Sequence, residues 1–247
     1  MTDILGHRLK IGTLVPSTNS SVEPEYARML IDGVTHMSAR IAVPNVSFRG
    51  DDDVREIVEG TQPDLLPSLA RVRACNPDRI IMGMAVPCFW GGRAGCDAMR
   101  TKLEENAGVP VTLPPDAIAQ ALAALGVRRI GVVSPYLPLA DKHVEQWFAE
   151  SGIDVAAIYG LRAKTEDSVI DITPEQLRDG FDRVDDDSVE ALVHVGTSIA
   201  MARLVEDFET QYSKPVVSVN VANLWATLRN AGLNDQINGY GRLMSDH

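Results

Sequence analysis

Two segments of the chain resemble each other, and that repeat is the strongest constraint on its fold. LKIGTLVPSTN (residues 9–19) and RRIGVVSPYLP (128–138) are each a short apolar run after basic residues, closed by a proline and a polar loop. Helical patterns follow each, over about 22–30 and about 140–151, and later apolar runs follow in turn, RIIMGMA at 79–85 and ALVHVGT at 191–197. Self-similarity on this scale predicts two related lobes. Continuous apolar runs such as IGTLV, RIIMG, IGVV and PVVSV alternate with helical stretches such as DLLPSLARVRA and DAIAQALAAL. The pattern is that of parallel sheets covered by helices on both faces, an α/β fold.

In such sheets ligands bind beyond the carboxyl ends of the strands. Those ends lead into four loops: 17–21 (STNSS), 85–92 (AVPCFWGG), 134–138 (SPYLP) and 196–200 (GTSIA). If the lobes face each other, the four loops converge on one cleft. In the first loop Ser20 and Glu23 have capping-box spacing. The helix start, with Ser17, Thr18 and Asn19, suits a carboxylate equally well. Tyr136 in the third loop is either a half-buried packing residue or a hydrogen-bond donor to an oxyanion. In the fourth, Gly196 allows close backbone approach, and Thr197 and Ser198 add hydroxyls. His194, inside the preceding apolar run, reads as a core residue. Cys88 in the second loop is reactive only if Arg93 or a helix starting near Gly92 lowers its pKa. Otherwise it is a small buried hydrophobe beside Phe89 and Trp90. Cys75 and Cys96 read as structural, and the acidic triplets at 51–53 and 185–187 as solvated turns.

The chain has 247 residues, 23 basic and 34 acidic, for a net charge of −11. That sign argues against nucleic acid or an anionic membrane surface as partner. There is no run of 18 apolar residues and no signal-peptide pattern at the start, so a cytoplasmic protein is expected. Three cysteines without zinc-like spacing fit reduced thiols. With no metal-binding motif, no GxGxxG and no Walker loop, the site is expected to hold neither metal nor cofactor.

At IGTLVPSTNSSVEPE, the AVPCFWGG loop, LGVRRIGVVSPY, the VGTS loop, PVVSVN and the terminal GYGRLM, the chain resembles the aspartate/glutamate racemase superfamily. The likeness is strongest to its arylmalonate decarboxylase and maleate cis-trans isomerase branch, and it runs over nearly the whole chain. The resemblance implies two pseudo-symmetric, Rossmann-like lobes with the active site between them. Residues 1–116 with 221–247 would form the first, and 117–220 the second.

Racemases and isomerases of this group carry a cysteine after a strand in each lobe, and the decarboxylases keep only the second. Here the first position falls at Gly83, Met84 or Ala85 and the second at Gly196, and neither holds a cysteine. Asn19 matches an asparagine that holds substrate carboxylate in the isomerases. Tyr136 matches a tyrosine that donates to the oxyanion in the decarboxylases, whose threonine–serine pair is replaced by Met84 and Ala85. The expected substrate-binding set is therefore Ser17, Asn19, Gly83, Met84, Ala85, Tyr136, Gly196, Thr197 and Ser198. Tyr136, Ser198 and Cys88 are the candidates for catalysis.

A racemase needs an acid and a base on opposite faces of a carbon, and an isomerase needs a nucleophile. Replacing one proton donor is easier than replacing a matched pair. The expected function is thus a cofactor-independent, decarboxylase-like enzyme acting on a small malonate-type acid through an enediolate. The alternatives are an isomerase or racemase with Cys88 as a displaced thiol, or a carboxylate-binding protein without catalysis. Assembly as a homo-oligomer stays open.

Overall fold

A computed structural model describes residues 3–44 and 46–247. In chain order the first half contains β1 (Leu9–Pro16), α1 (Val22–Met29), β2 (Val34–Ile41), α2 (Asp51–Gly60), α3 (Gln62–Arg73), β3 (Arg79–Met82), α4 (Val86–Phe89), α5 (Gly92–Ala107) and β4 (Val111–Thr112). The second contains α6 (Pro114–Ala124), β5 (Arg129–Ser134), α7 (Pro138–Glu150), β6 (Asp154–Gly160), α8 (Pro174–Val184), β7 (Ala191–His194), α9 (Val205–Tyr212) and β8 (Val216–Ser218). Helices α10 (Val219–Asn230) and α11 (Arg242–Asp246) close the chain.

The strands form two four-stranded parallel sheets, ordered β2-β1-β3-β4 and β6-β5-β7-β8. The repeat in the sequence is thus a repeat in topology. In register, Ile11 to Leu14 pair with Arg79 to Met82, and Ile130 to Val133 with Ala191 to His194. In each sheet the order reverses between its two central strands, β1 and β3 or β5 and β7. That switch point opens a crevice at the carboxyl ends. Apolar residues of all four central strands are buried, as parallel strands covered on both faces require.

Several helices begin with proline in the first turn, including α3, α6, α7 and α8, where a missing N–H costs nothing. The acids at 51–53 do not form a solvated turn. They open α2, where carboxylates complement the helix dipole, and Asp53 pairs with Arg49. The capping box expected at Ser20 and Glu23 is absent as well. Asn19 Oδ1 accepts the N–H groups of Ser21 and Val22, both at 3.0 Å, while Glu23 pairs with Arg40.

Aromatic packing joins the halves. Phe89 of α4 meets Trp147 and Phe148 of α7 with ring centroids at 5.9 and 5.7 Å, and Trp90 stacks on His143 at 4.0 Å. The AVPCFWGG loop is therefore largely packing surface. Helix α10 is buried on every side from Val219 to Leu228 and packs against α6, α1, α11 and strands of both sheets. Among the described residues no helix is long and apolar enough to cross a membrane. Because Leu224 is fully buried in α10, Leu224→Ala is expected to cost ~2–5 kcal/mol of stability in urea unfolding. A change below about 1 kcal/mol would show that α10 is not the central packing element.

Candidate active site

The loops at the two switch points meet in one cavity. Met84, Ala85 and Val86 border it from the first half, and Pro135, Tyr136, Leu137, Gly196, Thr197 and Ser198 from the second. A roof closes over it where two segments join, Ser47 bridging to Thr165 and the Phe48 N–H donating to Lys164 O at 2.7 Å. Phe48, Val54 and Ile57 come in from one side of that seam, Glu166 and Val169 from the other. The walls are mostly apolar. No Lys, Arg or His lines the cavity among the described residues.

The 196–198 loop is fixed across the lobes. Thr197 Oγ1 donates to Gly83 O at 2.8 Å, and Thr197 O accepts from Ser21 Oγ at 2.7 Å and from Asn220 Nδ2 at 3.0 Å. Asn220 also donates to Glu25 Oε2 at 2.6 Å, and Glu25 Oε1 accepts the Ala202 N–H at 2.7 Å. Burial raises the Glu25 pKa, with the bonds from Asn220 and Ala202 opposing it. Asn19 Nδ2 donates to Ser198 Oγ at 3.0 Å.

These bonds sort the residues expected from the sequence. Met84, Ala85, Tyr136, Gly196, Thr197 and Ser198 all border the cavity. Thr197 has spent its hydroxyl proton on Gly83, whereas Ser198 accepts from Asn19 and keeps its own proton to donate. Asn19 is buried behind Ser198, its amide occupied by that hydroxyl and by the start of α1. Ser17 is exposed and accepts from the Val43 N–H at 3.1 Å. Asn19, Ser17 and Gly83 lie outside the cavity lining.

The backbone N–H groups of Met84, Ala85, Thr197 and Ser198 make no backbone hydrogen bond among the described residues. The Tyr136 hydroxyl has no hydrogen-bond partner among the described residues, and its backbone is held by the loop around it. The Tyr136 N–H donates to Ser134 Oγ at 3.1 Å, and Ser134 Oγ donates to Asp141 Oδ1 at 2.5 Å. Burial raises the Tyr136 pKa well above its ordinary value, with Glu166, Asp141 and Cys88 adding to it, so the phenol stays protonated. Burial also pushes Asp141 up to about 7.

Of the expected thiol positions, Met84 and Ala85 carry other side chains, and neither Gly83 nor Gly196 has room for one on this backbone. A Cβ at Gly83 would lie 2.9 Å from Leu14 O and 3.0 Å from Val15 Cγ1. One at Gly196, where φ is +119°, would lie 2.6 and 2.7 Å from the Pro135 ring. Cys88 is fully buried in α4 outside the cavity lining, 3.2 Å from Met84 O and 3.6 Å from Met99 Sδ. Burial raises its pKa well above the usual thiol value. It is neither at the cavity nor activated. His194 is likewise buried, without a partner on either ring nitrogen among the described residues, and desolvation lowers its pKa to about 3.

Glu166 is the residue that sequence reasoning missed. It sits in RAKTEDSVID after edge strand β6, away from the switch points, in a segment that reads as an ordinary polar loop. Bonds from the Leu161 and Ala163 N–H groups to Ser134 O and Pro135 O, with the pairing of Thr165 and Ser47, bring it to the cavity.

Known proteins share this architecture. The structure is similar to a maleate cis-trans isomerase from Nocardia farcinica carrying a covalently bound succinylcysteine intermediate, with a TM-score of 0.88, 22% identity, and 97% of this chain and 99% of that one covered. It is also similar to a liganded double mutant of arylmalonate decarboxylase, with a TM-score of 0.84, 20% identity, and 97% and 100% covered. In sequence it is 23% identical to a maleate isomerase from Alcaligenes faecalis over 247 residues, 96% of each chain. It is 26% identical to an arylmalonate decarboxylase from Bordetella bronchiseptica over 242 residues, again 96% of each. The family model described as arylmalonate decarboxylase matches residues 11–244, and the chain belongs to that family.

Proposed function

We propose that this protein is a cofactor-independent enzyme acting on a small carboxylic acid through an enediolate-like intermediate, with decarboxylation of a malonate-type acid as its reaction. One observation carries this reading. Among the described residues, a cavity with mostly apolar walls and no cation has a protonated tyrosine on the loop after β5 and N–H groups without a backbone partner on the loops after β3 and β7. An enediolate concentrates negative charge on the two oxygens of one carboxyl group. Fixed dipoles in a dry site meet that charge without reorganising, and they act more strongly there than in water. Without a cation, binding of the ground-state carboxylate stays modest, so the donors favour the transition state.

In this reaction the bond from the α-carbon to the departing carboxyl breaks as carbon dioxide leaves, and its electron pair passes into the remaining carboxyl. Tyr136, Ser198 and the amides of the Met84–Ala85 and Thr197–Ser198 loops receive the oxyanion. The apolar roof of Phe48, Val54 and Ile57 takes the hydrocarbon substituent and desolvates the carboxylate that leaves.

Isomerisation of a maleate-type acid is the second reading, supported by the isomerase relatives. It requires a nucleophile that adds to the double bond. Cys88 is the thiol nearest in sequence, and its burial and raised pKa count against it.

Tyr136→Phe is expected to lower kcat on malonates about 10²–10³-fold, the usual cost of one lost oxyanion donor. Unchanged turnover in a carbon dioxide release assay would remove Tyr136 from the mechanism. Cys88 is expected to react with iodoacetamide only after unfolding, at a rate that a bound acid does not alter. Rapid labelling of native Cys88 that maleate blocks would favour the isomerase reading instead.

A further inference from the structure

Glu166 is the one carboxyl that lines the cavity among the described residues, and its turn is held from several directions. The Thr165 N–H donates to Ser168 Oγ at 2.9 Å, the Ser168 N–H donates to Thr165 Oγ1 at 3.3 Å, and Ser168 Oγ donates to Thr165 O at 3.0 Å. Thr165 Oγ1 donates in turn to Asp167 Oδ1 at 2.6 Å. Across the seam, Thr165 pairs with Ser47. The backbone around Glu166 is thus fixed, yet its carboxyl makes no hydrogen bond or ion pair among the described residues. Glu166 is partly buried, and the hydration its carboxyl loses there is replaced by no bond within the described residues.

We propose that Glu166 is the proton donor of this site, transferring the proton of its carboxylic acid to the α-carbon of the enediolate. The assignment rests on the enediolate reading above. In the step, the electron pair left on the α-carbon forms the new C–H bond, and Glu166 becomes a carboxylate. It regains a proton from water as the monocarboxylate product leaves, so the overall reaction consumes one proton and releases one carbon dioxide.

Other groups serve the transfer less well. Tyr136 is held as a phenol of raised pKa, suited to donating a hydrogen bond rather than giving up its proton. Cys88 lies outside the cavity lining. Desolvation, with a smaller contribution from Asp167, raises Glu166 to about 7. Both its forms are therefore populated near neutral pH, as proton transfer requires. The titratable groups around it are Tyr136 across the cavity, Asp167 on its own turn and Asp141 behind Tyr136.

Because the protonated acid is the active form, kcat is expected to fall as pH rises through about 7. Glu166→Gln keeps a hydrogen-bond donor but no transferable proton. It is expected to lower kcat on phenylmalonate about 10²–10⁴-fold and to abolish that pH dependence, with Glu166→Asp recovering part of the rate. Binding of phenylacetate by calorimetry supplies a readout that needs no turnover. At pH 8 wild type is expected to take up protons on binding, because the anion drives Glu166 to its neutral form. Glu166→Gln is expected to bind at least as tightly without uptake.

Turnover in Glu166→Gln within about threefold of wild type, or a rate loss matched by lost phenylacetate binding, overturns the assignment. So does a falling limb near pH 7 that survives in Glu166→Gln, because that limb belongs to Asp141. Proton uptake that depends on Glu166, in a wild type releasing no carbon dioxide from any malonate tested, overturns the reaction reading and the donor role with it.

Discussion

The site depends on one buried residue, Thr197, which ties the two lobes together at the carboxyl ends of their central strands. Its hydroxyl donates to Gly83 O in one half, and its carbonyl accepts from Ser21 and Asn220. These groups are all shielded from water, so losing one bond would leave its partner unsatisfied at a cost of about 1–3 kcal/mol. The same bonds fix the distance between the β3 and β7 loops. Phe89 against Trp147 and Phe148 supplies the apolar counterpart of this clamp.

The clamp decides which donors remain for a ligand. Thr197 is used up in holding Gly83, and Asn19 in organising α1 and Ser198. Ser198, Tyr136 and the loop amides without backbone partners are left at a mostly apolar chamber that no Lys, Arg or His lines among the described residues. In such a chamber fixed dipoles carry the electrostatics, and an isolated carboxyl is pushed toward its neutral form. The raised pKa values of Glu166 and Tyr136 both follow from this one property of the walls.

The parallel sheets, the repeat and three of the four loops that border the cavity were legible in the sequence because the central strands are continuous apolar runs ending at prolines and small polar residues. Met84, Ala85, Tyr136, Gly196, Thr197 and Ser198 came with them, each standing directly at a strand exit. Asn19 was legible as a residue of that loop, but its engagement with Ser198 depends on a contact spanning most of the chain. Glu166 was not legible, because an edge-strand loop reaches the cavity through its bonds to Ser134 and Pro135 and the Ser47–Thr165 bridge, and nothing local encodes those pairings. The acids at 51–53 misled because an acidic cluster opens a helix as readily as it solvates a turn. The absence of cysteine at Gly83 and Gly196 was plain in the sequence, and the backbone adds that a side chain at either point would collide with β1 or Pro135.

The most direct test of the account is a crystal structure with phenylacetate bound. The carboxylate is predicted to lie within about 3 Å of the Tyr136 hydroxyl and of backbone N–H groups from the Met84–Ala85 and Thr197–Ser198 loops. Its ring should lie against Phe48, Val54 and Ile57, and its α-carbon beside Glu166. An anion bound instead in the surface groove of Arg79, Arg93 and Arg100, with the inter-lobe cavity empty, would contradict it.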